Sequence, residues 1–288
     1  RGMGIPEEEL WFEYFGINHL GWVKRVLHHG IDITNEVLDN DQALLRHGDS
    51  MLDPDFIRII GMVPNEYLMF YYRHNEIVQR VQENKVTRAQ IIADLNKRLF
   101  SELKEAEKMG EEGAALRVYQ QYSHARDASY MKVETSDLDH ETLISSLWDS
   151  AQETAMASDE GSATGYAGIA LSVLRGLSGK DAHVIVLNAV NHGAITDLDK
   201  SDIVELPCYV DINGVHPIVV SHIPEESRGL LQVVKNYERL TVQAATEGSY
   251  KKALQALSAH PFVPDALTAQ AILDDFIEAH GEYFPELS

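Results

Sequence analysis

Between residues 10 and 27 the chain is dense in aromatic and β-branched side chains, with Trp11-Phe12-Glu13-Tyr14-Phe15 followed by Leu20-Gly21-Trp22-Val23. Side chains of this kind suit a pleated, half-buried surface, so the run predicts antiparallel strands over 10–18 and 20–27. His28-His29-Gly30 is a turn signal, read as a solvated turn, and Ile31-Asp32-Ile33 offers a third strand. Any fold that accommodates this run must bury much of it on a sheet. Inside it, Gly16-Ile17-Asn18-His19 sets an amide and an imidazole side by side where packing favours apolar groups. On the residues alone His19 has two readings, a hydrogen-bonded core histidine or a metal ligand or base.

Further along, Thr34 or Asn35 can cap a helix to about His47, and Asp53-Pro54 opens another. An aromatic cluster, Tyr67 to Tyr72, follows Pro64. Thr87 caps a long helix from Arg88 to about Lys108, with Ile91, Ile92, Leu95, Leu99 and Leu103 at helical spacing. Residues 149–165, rich in small and acidic types, read as a mobile loop. A helix from about Tyr166 to Leu177 leads into His183–Asn188, which reads as a buried strand. Two strands flank the Asn213-Gly214 turn within 202–220, and three helices follow from Pro224. The sum is an α+β fold, helix-rich, with small antiparallel sheets.

Composition narrows the function. A formal charge of −21 and a pI near 4.9 exclude a nucleic-acid partner and an anionic membrane surface. The expected partner is a small molecule or another copy of the chain. The single cysteine, Cys208, permits no intrachain disulfide and no multi-thiolate zinc site, and it follows Pro207 in apolar sequence that reads as buried and inert. No apolar run approaches the roughly 20 residues of a membrane span, and a reducing cytoplasmic setting fits. The opening Arg1-Gly2-Met3-Gly4 lacks an initiating Met and leads almost directly into strand, so the chain is expected to be part of something longer. No Gly-x-Gly-x-x-Gly after a strand and no Gly-Lys-Ser/Thr phosphate loop occur, so a nucleotide-binding domain is not expected within it.

Several ordered segments carry a resemblance. Gly16-Ile17-Asn18-His19-Leu20-Gly21-Trp22, Val63-Pro64-Asn65-Glu66-Tyr67-Leu68 with Tyr71-Tyr72, Thr87-Arg88, Asn188-x-x-Asn191-x-Gly193-Ala194-Ile195, Val204-Glu205-Leu206-Pro207-Cys208, Gly229-Leu230-Leu231 and Tyr237-Glu238-Arg239-Leu240-Thr241-Val242 occur in this order. Together they resemble the carboxy-terminal part of glycoside hydrolase family 4, the NAD- and manganese-dependent 6-phospho-glycosidases. The fold implied is similar to the carboxy-terminal domain of lactate/malate dehydrogenases, although the His with Arg/Asp pair of those enzymes is not found.

The resemblance implies that residues 1–288 are the substrate- and metal-side carboxy-terminal domain, with the NAD-binding Rossmann domain absent from this chain. The isolated chain would then be inactive and would bind no cofactor tightly. In the family, NAD oxidises the sugar C3 hydroxyl, the C2 proton becomes acidic, a base removes it, and the leaving group departs from C1 by elimination. A divalent metal stabilises the charge that develops at C3. His19 corresponds to the metal-ligating histidine, Asn18 and Arg88 to substrate-binding residues, and Tyr67 to the tyrosine proposed as the C2 base. An unperturbed phenol has a pKa of about 10 and needs positive charge nearby to act as a base. A guanidinium such as that of Arg88 suits bidentate phosphate contact.

Further expectations from the resemblance are a phosphorylated sugar glycoside as substrate and a homo-oligomer. The Gly165-Tyr166-Ala167 to Leu171 segment and Val190-Asn191-His192-Gly193 lean towards the 6-phospho-β-glucosidase branch. Gly161-Ser162-Ala163 departs from the loop expected there, which leaves the anomer and the phosphate requirement open. Bland readings stand beside these. Tyr67 can be packing among aromatics, Arg88 a surface group, Asn191-His192-Gly193 a turn after a strand, and the whole chain a non-catalytic oligomerisation module or an α-type 6-phospho-glucosidase part.

Overall fold

The structure, a computed structural model, describes residues 2–6, 9–45, 52–84, 86–110, 112–136, 138–157, 165–284 and 286–288. The chain begins with β1 (Leu10–Ile17), β2 (Leu20–His28) and β3 (Ile31–Asp32), then α1 (Thr34–Leu38), α2 (Asp41–Leu44), α3 (Pro54–Ile60), β4 (Val63–Pro64) and α4 (Met69–Tyr72). A helical stretch follows: α5 (His74–Asn84), α6 (Arg88–Met109), α7 (Ala114–Ala128), α8 (Lys132–Thr135) and α9 (His140–Ala157). The remainder is α10 (Gly165–Leu177), β5 (His183–Val190), β6 (Ile203–Asp211), β7 (Gly214–Pro217), α11 (Glu225–Glu247), α12 (Tyr250–Ala259) and α13 (Ala266–His280). These elements form two compact units, Arg1–Tyr72 with Thr164–Ser288, and Arg73–Ala163. No helix among the described residues is long and apolar enough to cross a membrane.

The first unit is built on one antiparallel sheet ordered β3-β2-β1-β6-β5, with β4 paired to β2 and β7 to β6. The aromatic run forms the β1–β2 hairpin in the register Phe15 opposite Trp22 and Ile17 opposite Leu20. Phe15 and Trp22 stack with centroids 5.6 Å apart, and both are fully buried. Around them Leu68, Ile195, Val204, Leu206, Ile223 and Leu231 complete the core. Burying each of these aliphatic side chains is worth about 1.5–3 kcal/mol. Helix α11 has acidic Glu225 and Glu226 in its first turn, where the helix dipole favours negative charge, and buries Leu231.

The second unit is all helix. The Thr87 hydroxyl accepts the Gln90 N–H and the Gln90 side chain accepts the Thr87 N–H, a capping box that starts α6. Its Ile91, Leu95 and Leu99 stripe packs with Tyr122, Ala125, Leu143, Leu147, Trp148 and Ala151 into a separate core.

Three sequence expectations change. The helix expected over 34–47 breaks in two, because Asn40 takes an extended backbone and its side chain caps α2 by accepting the Ala43 N–H. Thr34 is occupied instead with Asp32 and the Val26 N–H; residues 46–51 lie outside those described. The loop expected over 149–165 is helical as far as Ala157, since Ala and Ser pack closely on a helix and Ala151 joins the second core; residues 158–164 lie outside those described. The strand β5 is not wholly buried. It lies at the sheet edge, and Val184, Val186 and Val190 on one face are exposed while the alternate residues are half-buried.

Candidate active site

Asn18 and His19 are the two loop residues of the β1–β2 hairpin, not part of a strand, because Ile17 pairs with Leu20 across a two-residue turn. Both are exposed. His19 has φ 64°, a left-handed conformation that costs a non-glycine residue about 1 kcal/mol or more and is often held at functional positions. The core-histidine reading of His19 therefore fails.

The hairpin closes tightly because Gly16 and Gly21 face each other; a Cβ on Gly16 would lie 2.4 Å from the Gly21 Cα. The absence of a side chain on Gly21 also leaves room for the Tyr14 ring, whose hydroxyl would sit 2.2 Å from a Cβ there. So placed, the Tyr14 hydroxyl donates to Glu205 Oε2 at 2.7 Å. Burial, reinforced by the charge of Glu205, pushes the Tyr14 phenol far above its ordinary value, which keeps it a neutral donor. Glu205 pairs with Gly16 on one side and Asn188 on the other, and the Asn188 amide donates to Asn18 Oδ1 at 3.4 Å.

Tyr67 reaches the hairpin by a second route. β4 pairs with Trp22 and Val23, the Asn65 N–H donates to the Gly21 carbonyl at 2.8 Å, and the Asn65 side chain accepts the Tyr67 N–H at 3.0 Å. This single turn presents the Tyr67 ring to His19, with centroids 4.0 Å apart and planes inclined by 37°. Leu68 and Met69, the next two residues, point the other way into the core and are fully buried. Tyr67 is half-buried.

Of the four residues singled out in the sequence, Asn18, His19 and Tyr67 gather at the hairpin tip. Arg88 belongs to the second unit, at the first position of α6, where its guanidinium lies 4.9 Å from the centre of the Tyr130 ring. Tyr14, Asn188 and Glu205 also belong to the tip. Their signal in the sequence was a lone carboxylate and a lone amide in apolar strands, to which no role was given.

The bland readings of two other positions hold. Asn191 is fully buried and organises a turn, donating to the Ile195, Leu198 and Asp199 carbonyls and accepting the Ile195 N–H at 2.7 Å. His192 is exposed on that turn with φ 48°. Cys208 is fully buried, and burial pushes its thiol up to about 11.

Arranged in this way, the tip gathers an imidazole, a phenol and an amide at one end of the sheet. Known proteins share the fold. The family profile described as the family 4 glycosyl hydrolase C-terminal domain matches residues 14–263. A probable 6-phospho-β-glucosidase of Bacillus subtilis is 24% identical over 99% of this chain and 57% of its own length. The maltose-6′-phosphate glucosidase of Fusobacterium mortiferum is 26% identical over 95% of the chain and 56% of its own. Among solved structures, the Thermotoga maritima 6-phospho-β-glucosidase with manganese, NAD+ and glucose-6-phosphate superposes with TM-score 0.70 at 24% identity, over 99% of this chain and 57% of that one. A 6-phospho-α-glucosidase from gut microorganisms, with NAD and Mn2+, gives 0.68 at 22% identity over 100% and 59%. The chain thus spans a little over half the length of the relatives it matches. It belongs to glycosyl hydrolase family 4, of which it is the carboxy-terminal part.

Proposed function

We propose that this chain is the substrate- and metal-side half of a glycosidase that cleaves 6-phospho-glycosides by oxidation at C3, proton removal at C2 and elimination. The observation that carries the reading is the contact between the His19 and Tyr67 rings at the hairpin tip, 4.0 Å apart, with Asn18 beside them. The names and bound ligands of the relatives support the substrate class, which includes phosphorylated glucosides.

The fit of the expected cofactors differs. The described sheet is antiparallel throughout its named strands, and such a sheet offers no parallel-strand crevice for a dinucleotide. By the resemblance, NAD is held by a Rossmann half outside residues 1–288. For a manganese ion, an exposed neutral imidazole is a suitable donor. Among the described residues, His19 joins no group of three His, Cys, Asp or Glu ligand atoms, and in the proposed enzyme it would supply one ligand of a site completed by other residues. When bound, such an ion polarises the C3 oxygen and favours removal of the neighbouring proton.

The roles proposed for the chain's own residues are those the family resemblance implies. Tyr67, held by Asn65 against β2, is the proposed base for the C2 proton, and the charge of a divalent cation ligated by His19 would favour its phenolate. The Asn18 amide both donates and accepts, which suits sugar hydroxyls, and its carbonyl is oriented by Asn188. The phosphate-binding role proposed for Arg88 rests on the resemblance alone. The proposed glycoside is β-linked, on the segments Gly165–Leu171 and Val190–Gly193, with the α-linked substrate as the alternative. The enzyme is placed in the cytoplasm as a homo-oligomer, and the 288-residue chain alone is expected to be inactive.

A comparison of full-length protein and the isolated chain tests this reading. With NAD and manganese, the full-length protein should release aglycone from a 6-phospho-β-glucoside faster than from the α-linked and unphosphorylated forms, and the isolated chain should release none. Turnover by the isolated chain, or by the full-length protein without NAD, would overturn it.

A further inference from the structure

Away from the tip of the β1–β2 hairpin, this sheet gathers a group of side chains able to ligate a metal. At the far end of β2, Glu9, His28 and His29 place one ligand atom each within 4.8 Å of one another. His28 Nε2 lies 2.9 Å and His29 Nε2 3.1 Å from the same carboxylate oxygen, Glu9 Oε2. The two rings lie side by side with centroids 4.4 Å apart.

Chain geometry does not produce this by default. Successive strand residues point to opposite faces, so adjacent histidines should diverge. Here His29 takes φ 49°, and Gly30 follows at φ 82°, which swings the second imidazole back alongside the first. The two-residue turn His29-Gly30 has both central residues at positive φ, a conformation that histidine adopts more readily than most non-glycine residues. Glu9 stands just before β1, in which Leu10 pairs with His28, and its N–H is fixed by the Pro6 carbonyl at 3.1 Å.

We propose that Glu9, His28 and His29 bind a zinc-class divalent cation. Ligand atoms about 2.0–2.1 Å from a tetrahedral zinc lie roughly 3.3 Å apart. The observed 2.9 and 3.1 Å separations need to open by only a few tenths of an ångström. Two imidazoles and one carboxylate suit Zn2+, Ni2+ or Cu2+ better than Mg2+ or Ca2+, which prefer all-oxygen shells. The His29 side chain is 68% exposed, so water can complete the shell from the open side. Bound there, the ion ties the start of β1 to the β2–β3 turn. The site is separate from the proposed catalytic one: β2 runs from Leu20 to His28, which at about 3.3 Å per residue puts roughly 25 Å between the two.

The test is calorimetric titration of the 288-residue chain with Zn2+ alone, for the wild type and for Glu9→Gln, His29→Asn and His19→Ala. The expected result is one saturable zinc per chain, weakened about tenfold or more by Glu9→Gln and by His29→Asn and unchanged by His19→Ala. No saturable binding, or binding undiminished in both Glu9→Gln and His29→Asn, overturns the proposal. X-ray absorption on the zinc-loaded wild type removes dependence on how the variants fold. Two imidazole nitrogens and a carboxylate oxygen at about 2.0–2.2 Å are expected, and fewer than two imidazoles contradicts the site.

Discussion

Replacement of Asn191 by alanine should destabilise the protein far more than a turn residue ordinarily does. The side chain is fully buried and has four protein partners, the carbonyls of Ile195, Leu198 and Asp199 and the N–H of Ile195, all within 2.7–3.2 Å. Alanine leaves the buried Ile195 N–H without its acceptor, which costs about 1–3 kcal/mol, and the three carbonyls each lose a donor. With the small cavity added, roughly 3–5 kcal/mol is expected. At roughly 2–4 °C per kcal/mol for a unit of 150–250 residues, the melting temperature should fall by about 6–20 °C. Asn191→Asp should be at least as costly, because it turns an anionic oxygen towards three carbonyl groups. Thermal and urea unfolding followed by circular dichroism measure both. A loss below about 1 kcal/mol, with full-length activity abolished, would refute the reasoning and make Asn191 a ligand-binding residue.

In the full-length protein, His19→Ala should abolish manganese-dependent turnover while leaving the melting temperature within about 1–2 °C, since the side chain is an exposed loop group; normal metal dependence of activity would remove it from the site. Arg88→Ala should raise KM for the phosphorylated substrate by about tenfold or more, with a smaller effect on kcat, and an unchanged KM would reassign Arg88 to its packing on Tyr130. Cys208 should resist a thiol reagent at pH 8 until the protein unfolds, because burial raises its thiol to about 11. Its proton is held more tightly in the folded state than in the unfolded one. The stability it contributes is therefore complete below about pH 8.5 and is lost as pH rises towards 11, so Cys208→Ala should flatten the alkaline decline in melting temperature.

Where one local rule decided the structure, the sequence was readable. The Thr87/Gln90 capping box and the Asp53-Pro54 helix start appear as expected, and the hairpin expected at Asn213-Gly214 turns one residue earlier, with Ile212 and Asn213 in the loop between the paired Asp211 and Gly214. Much of the stretch from Ala114 to Ala157 was not. Helix α7 buries only Tyr122 and Ala125 and begins at Gly113 without a side-chain cap, so its apolar stripe is too thin to register. The Ala- and Ser-rich end of α9 reads as loop until Trp148 and Ala151 are given a core to enter. At the site, the family resemblance singled out Asn18, His19 and Tyr67, but local sequence did not reveal how they come together. A histidine at positive φ without a turn signature hides the hairpin loop, and the contact of residues 19 and 67 depends on β4 joining β2, a two-residue pairing with no pattern of its own.

The central claim, that the Tyr67 phenol beside His19 removes a proton from substrate, is tested most directly by exchange of the substrate C2 hydrogen with solvent deuterium. Nuclear magnetic resonance can follow this in the full-length protein with NAD and manganese. Tyr67→Phe should slow the exchange by about 10²-fold or more, as loss of a general base does, while the melting temperature stays close to that of the wild type. An exchange rate equal to that of the wild type would contradict the claim.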